Sequence, residues 1–163
     1  MEANQDAAGA RALYEEALRR EPTSVWARVR LAWLALHDGD TVEAESQAKA
    51  LLRKDARSLE AHRLLGHAAI LQKQPARARI LVLRGMSLAP DDAELHFVAG
   101  EAALLEKDIG RAQQHFRAAV RQEPGYWPAH MALLRIDVNN GDWAAADQAL
   151  RVLAQLWPAN ATV

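Results

Sequence analysis

The chain of 163 residues contains no cysteine, which excludes disulfides and every cysteine-based zinc site. That absence does not choose a compartment. No apolar run approaches the roughly 18 residues of a membrane span, so direct membrane insertion of this segment is not expected. Met1 to Asp6 is acidic and polar and lacks the pattern of a secretory signal. Charge of one sign is missing too: the formal net charge is −1. The first 82 residues carry 13 basic and 11 acidic groups, and the remaining 81 carry 7 and 10. Nothing in that balance invites nucleic acid. Strand patterns, low-complexity stretches and long linkers are absent, and the glycines are scattered, so no phosphate-cradling loop occurs.

The usual chemistry is also hard to assemble. Of the four serines, Ser24 and Ser58 stand at helix starts, and neither Ser46 nor Ser87 has a histidine and an acid nearby in sequence. The carboxylate pairs Asp91-Asp92 and Glu15-Glu16 read as a helix start and a solvated face. Arg77, Arg79 and Arg84, with Lys73 close by, read as a solvated outer face, with contact to an anionic partner as the sharper alternative. No catalytic residue is nominated and an enzyme is not expected.

What the chain has is a clock. Alanine recurs at 10, 44, 78, 112 and 146, each 34 residues after the last. Proline keeps the same time at 22, 90, 124 and 158, with Ala56 on the missing beat. A fixed period of this length marks a stacked helical repeat. Each unit reads as two helices. In the second full unit Leu59, Leu64, Leu65, Ala68 and Leu71 form one apolar helical face. Pro75 then opens a second helix through Ala78, Leu81, Val82 and Met86, and Ala89-Pro90 ends it. Ser24, Ser58 and Asp92 suit the starts of first helices, and Thr41, Asp108 and Asp142 those of second helices. Gly39-Asp40 and Gly141-Asp142 read as turns. The periodicity predicts helices over 7–20, 25–37, 42–54, 59–72, 76–88, 93–106, 109–122, 127–139 and 143–156, in one continuous domain over 1–163. The repeated alanine lets paired helices approach closely, whereas Ala118 reads as solvated.

His62, His96 and His130 share the 34-residue register, which raises a metal site as the sharp reading and once-per-repeat packing as the plain one. Helix axes about 8–10 Å apart cannot bring three successive units within about 2 Å of one ion, so no metal and no cofactor is expected.

These residues resemble the tetratricopeptide repeat, whose pattern runs W-x2-L-G-x2-Y, A-x3-F, P. The second full unit offers His62, Leu65-Gly66 and Ala69, then Ala78, Val82 and Pro90. The third offers His96, Ala99-Gly100 and Ala103, then Ala112, Phe116 and Pro124. The fourth offers His130, Leu133-Leu134 and Asp137, then Ala146, Leu150 and Pro158. A weaker first unit runs Arg28, Leu31-Ala32, Ala35, Ala44, Ala48 and Ala56, and Ala10, Tyr14 and Pro22 make half a unit before it. The units span 7–22, 25–58, 59–92, 93–126 and 127–158. Two departures stand out: Asp137 replaces the tyrosine packed between helices, and Leu134 replaces the small residue at the close crossing. The resemblance implies an all-α, right-handed helical-repeat solenoid of antiparallel helix pairs.

It also implies a concave side lined by the first helix of each unit. The nominated groove residues are Trp26, Val29, Arg30 and Trp33; Arg63 and His67; Phe97 and Glu101; Met131 and Arg135. Trp26 and Trp33, seven apart, share a helix face independently of the resemblance. Aromatic, Met and Arg anchors are typical of interface cores. The Lys and Asn clamp by which some family members hold a terminal carboxylate is not matched in either frame of units. The expected function is non-catalytic binding of a protein or peptide, as part of a larger bacterial assembly such as secretion or exopolysaccharide export machinery, on the cytoplasmic or periplasmic face of the envelope. A self-contained peptide-binding chaperone or regulator is the alternative. The bacterial reading rests on association: Arg outnumbers Lys 16 to 4 and Ala is abundant. Both ends break mid-pattern, which predicts a fragment of a longer protein, or else a second chain over helix 143–156, apolar at Trp143, Leu150, Val152, Leu153 and Leu156.

Overall fold

The computed structural model describes residues 2–157; Pro158, which keeps the last beat of the repeat, lies outside them. Among the described residues there are nine α-helices and no strand. They are α1 (Glu2–Arg20), α2 (Val25–His37), α3 (Thr41–Lys54), α4 (Leu59–Leu71), α5 (Pro75–Met86), α6 (Ala93–Leu105), α7 (Ile109–Gln122), α8 (Trp127–Asn139) and α9 (Trp143–Leu156). The boundaries agree with the periodicity within two residues, except that α1 begins five residues early. Helices stop short of Pro90 and Pro124, as the missing N–H and the ring require.

The caps explain where helices begin. The side chains of Ser24, Ser58, Asp92, Asp108 and Asp142 each accept from a backbone N–H in the first turn. Thr41 does not cap α3: it lies inside the first turn, and Asp40 accepts from the Glu43 N–H instead. The turn inside each pair needs a left-handed residue. Gly39 and Gly141 supply it at φ of 78° and 73°, and at the same register Lys73 and Lys107 are held at 55° and 62°, where an L side chain is strained.

Hydrogen bonds across the pairs show that partner helices run antiparallel. Lys54, ending α3, donates to the Thr23 carbonyl ahead of α2, and Gln122, ending α7, donates to Asp91 ahead of α6. The repeated alanine does close the crossing: Ala44, Ala78 and Ala112 are fully buried and Ala146 nearly so. Ala118 is buried as well, contrary to its reading as solvated, because α7 packs against both α6 and α8.

The chain forms two compact units, Met1–Leu88 and Ala89–Val163. In the first, the core is Ala32, Ala35, Leu36, Ala44, Ala48, Leu51, Ala61, Leu64, Leu65 and Ala68. Glu45 is buried at its edge, where it accepts from Arg77, Lys49 and Gln72. Arg77 foremost holds its carboxyl down at a pKa of about 2. Arg77 thereby ties α5 to α3. In the second unit Ala93, Ala103, Ala112, Phe116, Ala119, Ala129, Ala132 and Ile136 form the core. Gly100 is required there, since a Cβ would overlap the Phe116 ring.

Candidate partner-binding groove

The in-register polar residues are absorbed by structure. Arg28 donates to the Pro22 carbonyl at 2.6 Å and to Gln47, and His130 donates to the Pro124 carbonyl, one residue of the same register, at 2.9 Å. His62 donates to the Ser58 carbonyl. His96 instead meets His115, with Nδ1 atoms 3.4 Å apart. Burial first, then His96 and Arg111, lowers the His115 pKa. His62 and His130 thus bond the last residues of the preceding repeat, and His96 meets a residue of its own.

The nominated groove residues are placed unit by unit. In the first unit Trp26 is 59 % exposed and sets its edge against Tyr14 at 5.3 Å. Trp33 is half-buried on the core and meets His67 edge-on at 5.0 Å. Val29 packs against the same core, Arg63 pairs with Glu60, and Arg30 is exposed. The aromatic face of α2 is therefore half core and half surface.

In the second unit four nominated residues come together. Phe97 and Glu101, one turn apart on α6, face Met131 and Arg135, one turn apart on α8. They line a groove of about 580 Å³ with Trp127, Pro128, Ala132, Leu134, Val138 and Asn139. Phe97 forms its floor: the ring packs at 5.7 Å on both Phe116 and Tyr126. Trp127, Met131 and Val138 stand 38–39 % exposed along its wall. Arg135 bridges to Glu101 at 3.1 Å on the rim. Ninth places one repeat apart thus meet in both units, as Trp33 with His67 and as Glu101 with Arg135. Below the groove the Tyr126 hydroxyl bonds Glu94, and burial above all drives its pKa far up, so it stays a neutral donor. Asp137, in the tyrosine place, has its pKa raised by burial first and by Asp142 second.

Trp127 was not nominated. It holds the first place of its unit, one before the groove positions, at the start of α8, where Tyr126-Trp127-Pro128 lacks a side-chain cap, and it lines the groove. The Trp-Pro pair at an uncapped helix start was the available signal. Trp127 also meets Trp157 edge-on at 5.0 Å. There, with Met131 and Leu134, it borders a second cavity of about 230 Å³ against Leu150, Leu153, Ala154 and Trp157 of the α9 side. Leu153 is buried, a correction to its place on the exposed C-terminal face; Trp143, Leu150, Val152 and Leu156 are exposed.

A tetratricopeptide repeat model matches residues 2–58, 35–99 and 103–162. The chain belongs to the tetratricopeptide repeat family, an all-α helical-repeat solenoid class whose fold supports a protein–protein interaction scaffold role. Among solved structures it is similar to TTC0263, a thermophilic TPR protein of Thermus thermophilus, at TM-score 0.83 and 21 % identity over 98 % of this chain and 86 % of that one. It is also similar to pilF of Pseudomonas aeruginosa, at 0.71 and 19 % over 94 % and 70 %, and to MamA from Desulfovibrio magneticus, at 0.67 and 18 % over 96 % and 88 %. These likenesses show the fold. A human relative, protein O-mannosyl-transferase TMTC1, is 26 % identical over 150 residues, 90 % of this chain and 17 % of that protein. The chain thus spans less than a fifth of that relative's length. Among the described residues no helix is long and apolar enough to cross a membrane.

Proposed function

We propose that this chain is a non-catalytic scaffold that holds the apolar face of a partner's helix or extended segment in the groove between α6 and α8. The observation that carries this reading is the open wall of Trp127, Met131 and Val138 over a fixed Phe97 floor, beside the Glu101–Arg135 pair. Large apolar and aromatic side chains in a concave surface supply binding energy, while rim charges fix direction. Assignment to a bacterial assembly, such as secretion or export machinery, rests on the Arg- and Ala-rich composition and on the bacterial source of the structural neighbours named above. The transferase relative lends no catalytic reading, because the match covers a small share of its length.

The test uses a peptide selected by display on the intact protein, with binding followed by fluorescence anisotropy. Loss of an anchor in such a site costs about 2 kcal/mol or more. Met131→Glu with Val138→Glu is expected to abolish binding while far-UV circular dichroism stays unchanged. Survival of binding in that variant, with loss on Trp26→Glu, would move the working surface to the first unit.

A further inference from the structure

The outer faces of the second helices can be compared place by place. Two outward places hold Ser46 and Lys49 in α3, Gln114 and Arg117 in α7, and Gln148 and Arg151 in α9, all exposed and all polar or charged. In α5, an internal helix, the same places hold Ile80 and Leu83, 53 % and 61 % exposed. Beside them Arg84 stands exposed where α3, α7 and α9 have Ala50, Ala118 and Val152. Every charged residue of α5 is basic: Arg77, Arg79 and Arg84. Arg84 also lines a cavity of about 310 Å³ at the C-terminal ends of α3 and α5, with Leu52, Ala56, Ser87 and Leu88. Ala56 keeps the place that Pro22, Pro90 and Pro124 hold elsewhere. His62, 6 % exposed, lines the cavity too; its Nδ1 donates to the Ser58 carbonyl, which leaves Nε2 to accept from a ligand. The cavity, Ile80 and Leu83 all belong to the first compact unit.

We propose that this outer face of α5 is a second interaction surface, built for an acidic protein segment that carries apolar side chains. One apolar side chain of the segment enters the cavity against Leu52 and Leu88, its neighbours cover Ile80 and Leu83, and a carboxylate meets Arg84. Charge selects this occupant. α5 has no acid of its own to compete for Arg84, and Glu45, the buried acid of α3 that α5 meets, is already held by Arg77 and Lys49. A basic partner would set like charges together. The cavity selects a protein segment over a membrane, because a fluid lipid surface presents no side chain of fixed shape to fill it.

The test is selection from a random peptide library on the full chain carrying Met131→Glu with Val138→Glu, so that the α6–α8 groove does not compete. Recovered peptides are expected to combine Asp or Glu with large apolar residues. Binding of one such peptide is then followed by fluorescence anisotropy. Ile80→Gln with Leu83→Arg copies α7 at these places and adds a positive charge, and it should still weaken binding about tenfold or more. Arg84→Glu should weaken it as much, and exchanging the peptide's acids for lysine should restore binding to that variant. Ala56→Pro, which the extended backbone of Asp55 accommodates, should also weaken it by returning a ring to the cavity. Far-UV circular dichroism should be unchanged in all of these. Recovery of peptides without acidic residues overturns the proposal, and so does binding indifferent to these changes. Sedimentation with phosphatidylglycerol vesicles that depends on Ile80, Leu83 and Arg84, without peptide binding there, overturns it in favour of a lipid surface. Peptide binding in the α6–α8 groove is read separately, so either reading can fail alone.

Discussion

The third and fourth repeats are built on one frame and end in opposite states. In the third, Gly100 makes room for the Phe116 ring, α8 covers it, and the crossing is sealed. In the fourth, Leu134 fills the glycine's place and Leu150 stands half in solvent. The seam over Phe116 is packed by α8, whereas no helix among the described residues packs over Leu150. The difference teaches that a repeat's motif residues are core or surface according to whether another helix packs over them. Phe116 and Leu150 occupy the same motif place, and only the first is covered in this way.

Substitution at that place should break the comparison most visibly. Phe116→Ala is expected to cost about 3–5 kcal/mol by opening a cavity in a closed core. Leu150→Ala should cost less than about 1 kcal/mol, because much of its surface is already wet. Urea melts of both variants check this; similar costs would mean that the fourth repeat is as sealed as the third.

Gly100→Ala comes next, at about 1–3 kcal/mol from overpacking against a ring that cannot retreat. Its counterpart Leu134→Ala meets no such obstacle and should fall below it in the same melts. Ala112→Leu belongs with Gly100→Ala in size. Ala118, being buried, is no silent control for it, and exposed Arg117 serves instead.

The turns differ more gently. Lys107 is held left-handed where the fourth repeat has Gly141. Lys107→Gly should therefore stabilise by about 0.5–1 kcal/mol, as relief of strain exceeds the added freedom of the unfolded chain. Thermal melts of Lys107→Gly and Lys73→Gly, both predicted to rise, provide the check.

The smallest effect is in pH. His115 faces His96 in the third repeat, while Ala149 fills that register in the fourth. The folded pKa of His115 lies below its ordinary value of 6.5, so the unfolded chain binds more protons than the folded one as pH falls through that value. Stability should drop on that descent. His115→Gln should flatten this part of the profile, measured as the difference in midpoint between pH 8 and pH 5 at about equal ionic strength.

Much of this was legible along the chain. The 34-residue recurrence of Ala and Pro located the helix pairs because a close crossing tolerates only small residues and a proline stops a helix, both local consequences of side-chain size and ring geometry. Caps at Ser24, Ser58, Asp92, Asp108 and Asp142 were readable for the same reason, and the left-handed lysines were readable in principle from their register with Gly39 and Gly141. The groove was legible in part. Phe97, Glu101, Met131 and Arg135 stand at places that the family resemblance nominates, whereas Trp127 lies one place outside them and was marked only by the Trp-Pro pair at an uncapped helix start.

The sequence by itself determined that this chain forms paired helices of the tetratricopeptide kind, because period, caps and breakers act within a few residues of one another. Tertiary structure alone decided which apolar residues are core and which are surface. Ala118 is buried because helices flank it on two sides, Phe97 becomes a floor between Phe116 and Tyr126, and Leu150 is left open beside Leu134. Burial depends on neighbours 20 to 40 residues away, and an apolar side chain carries no mark of whether such a neighbour arrives.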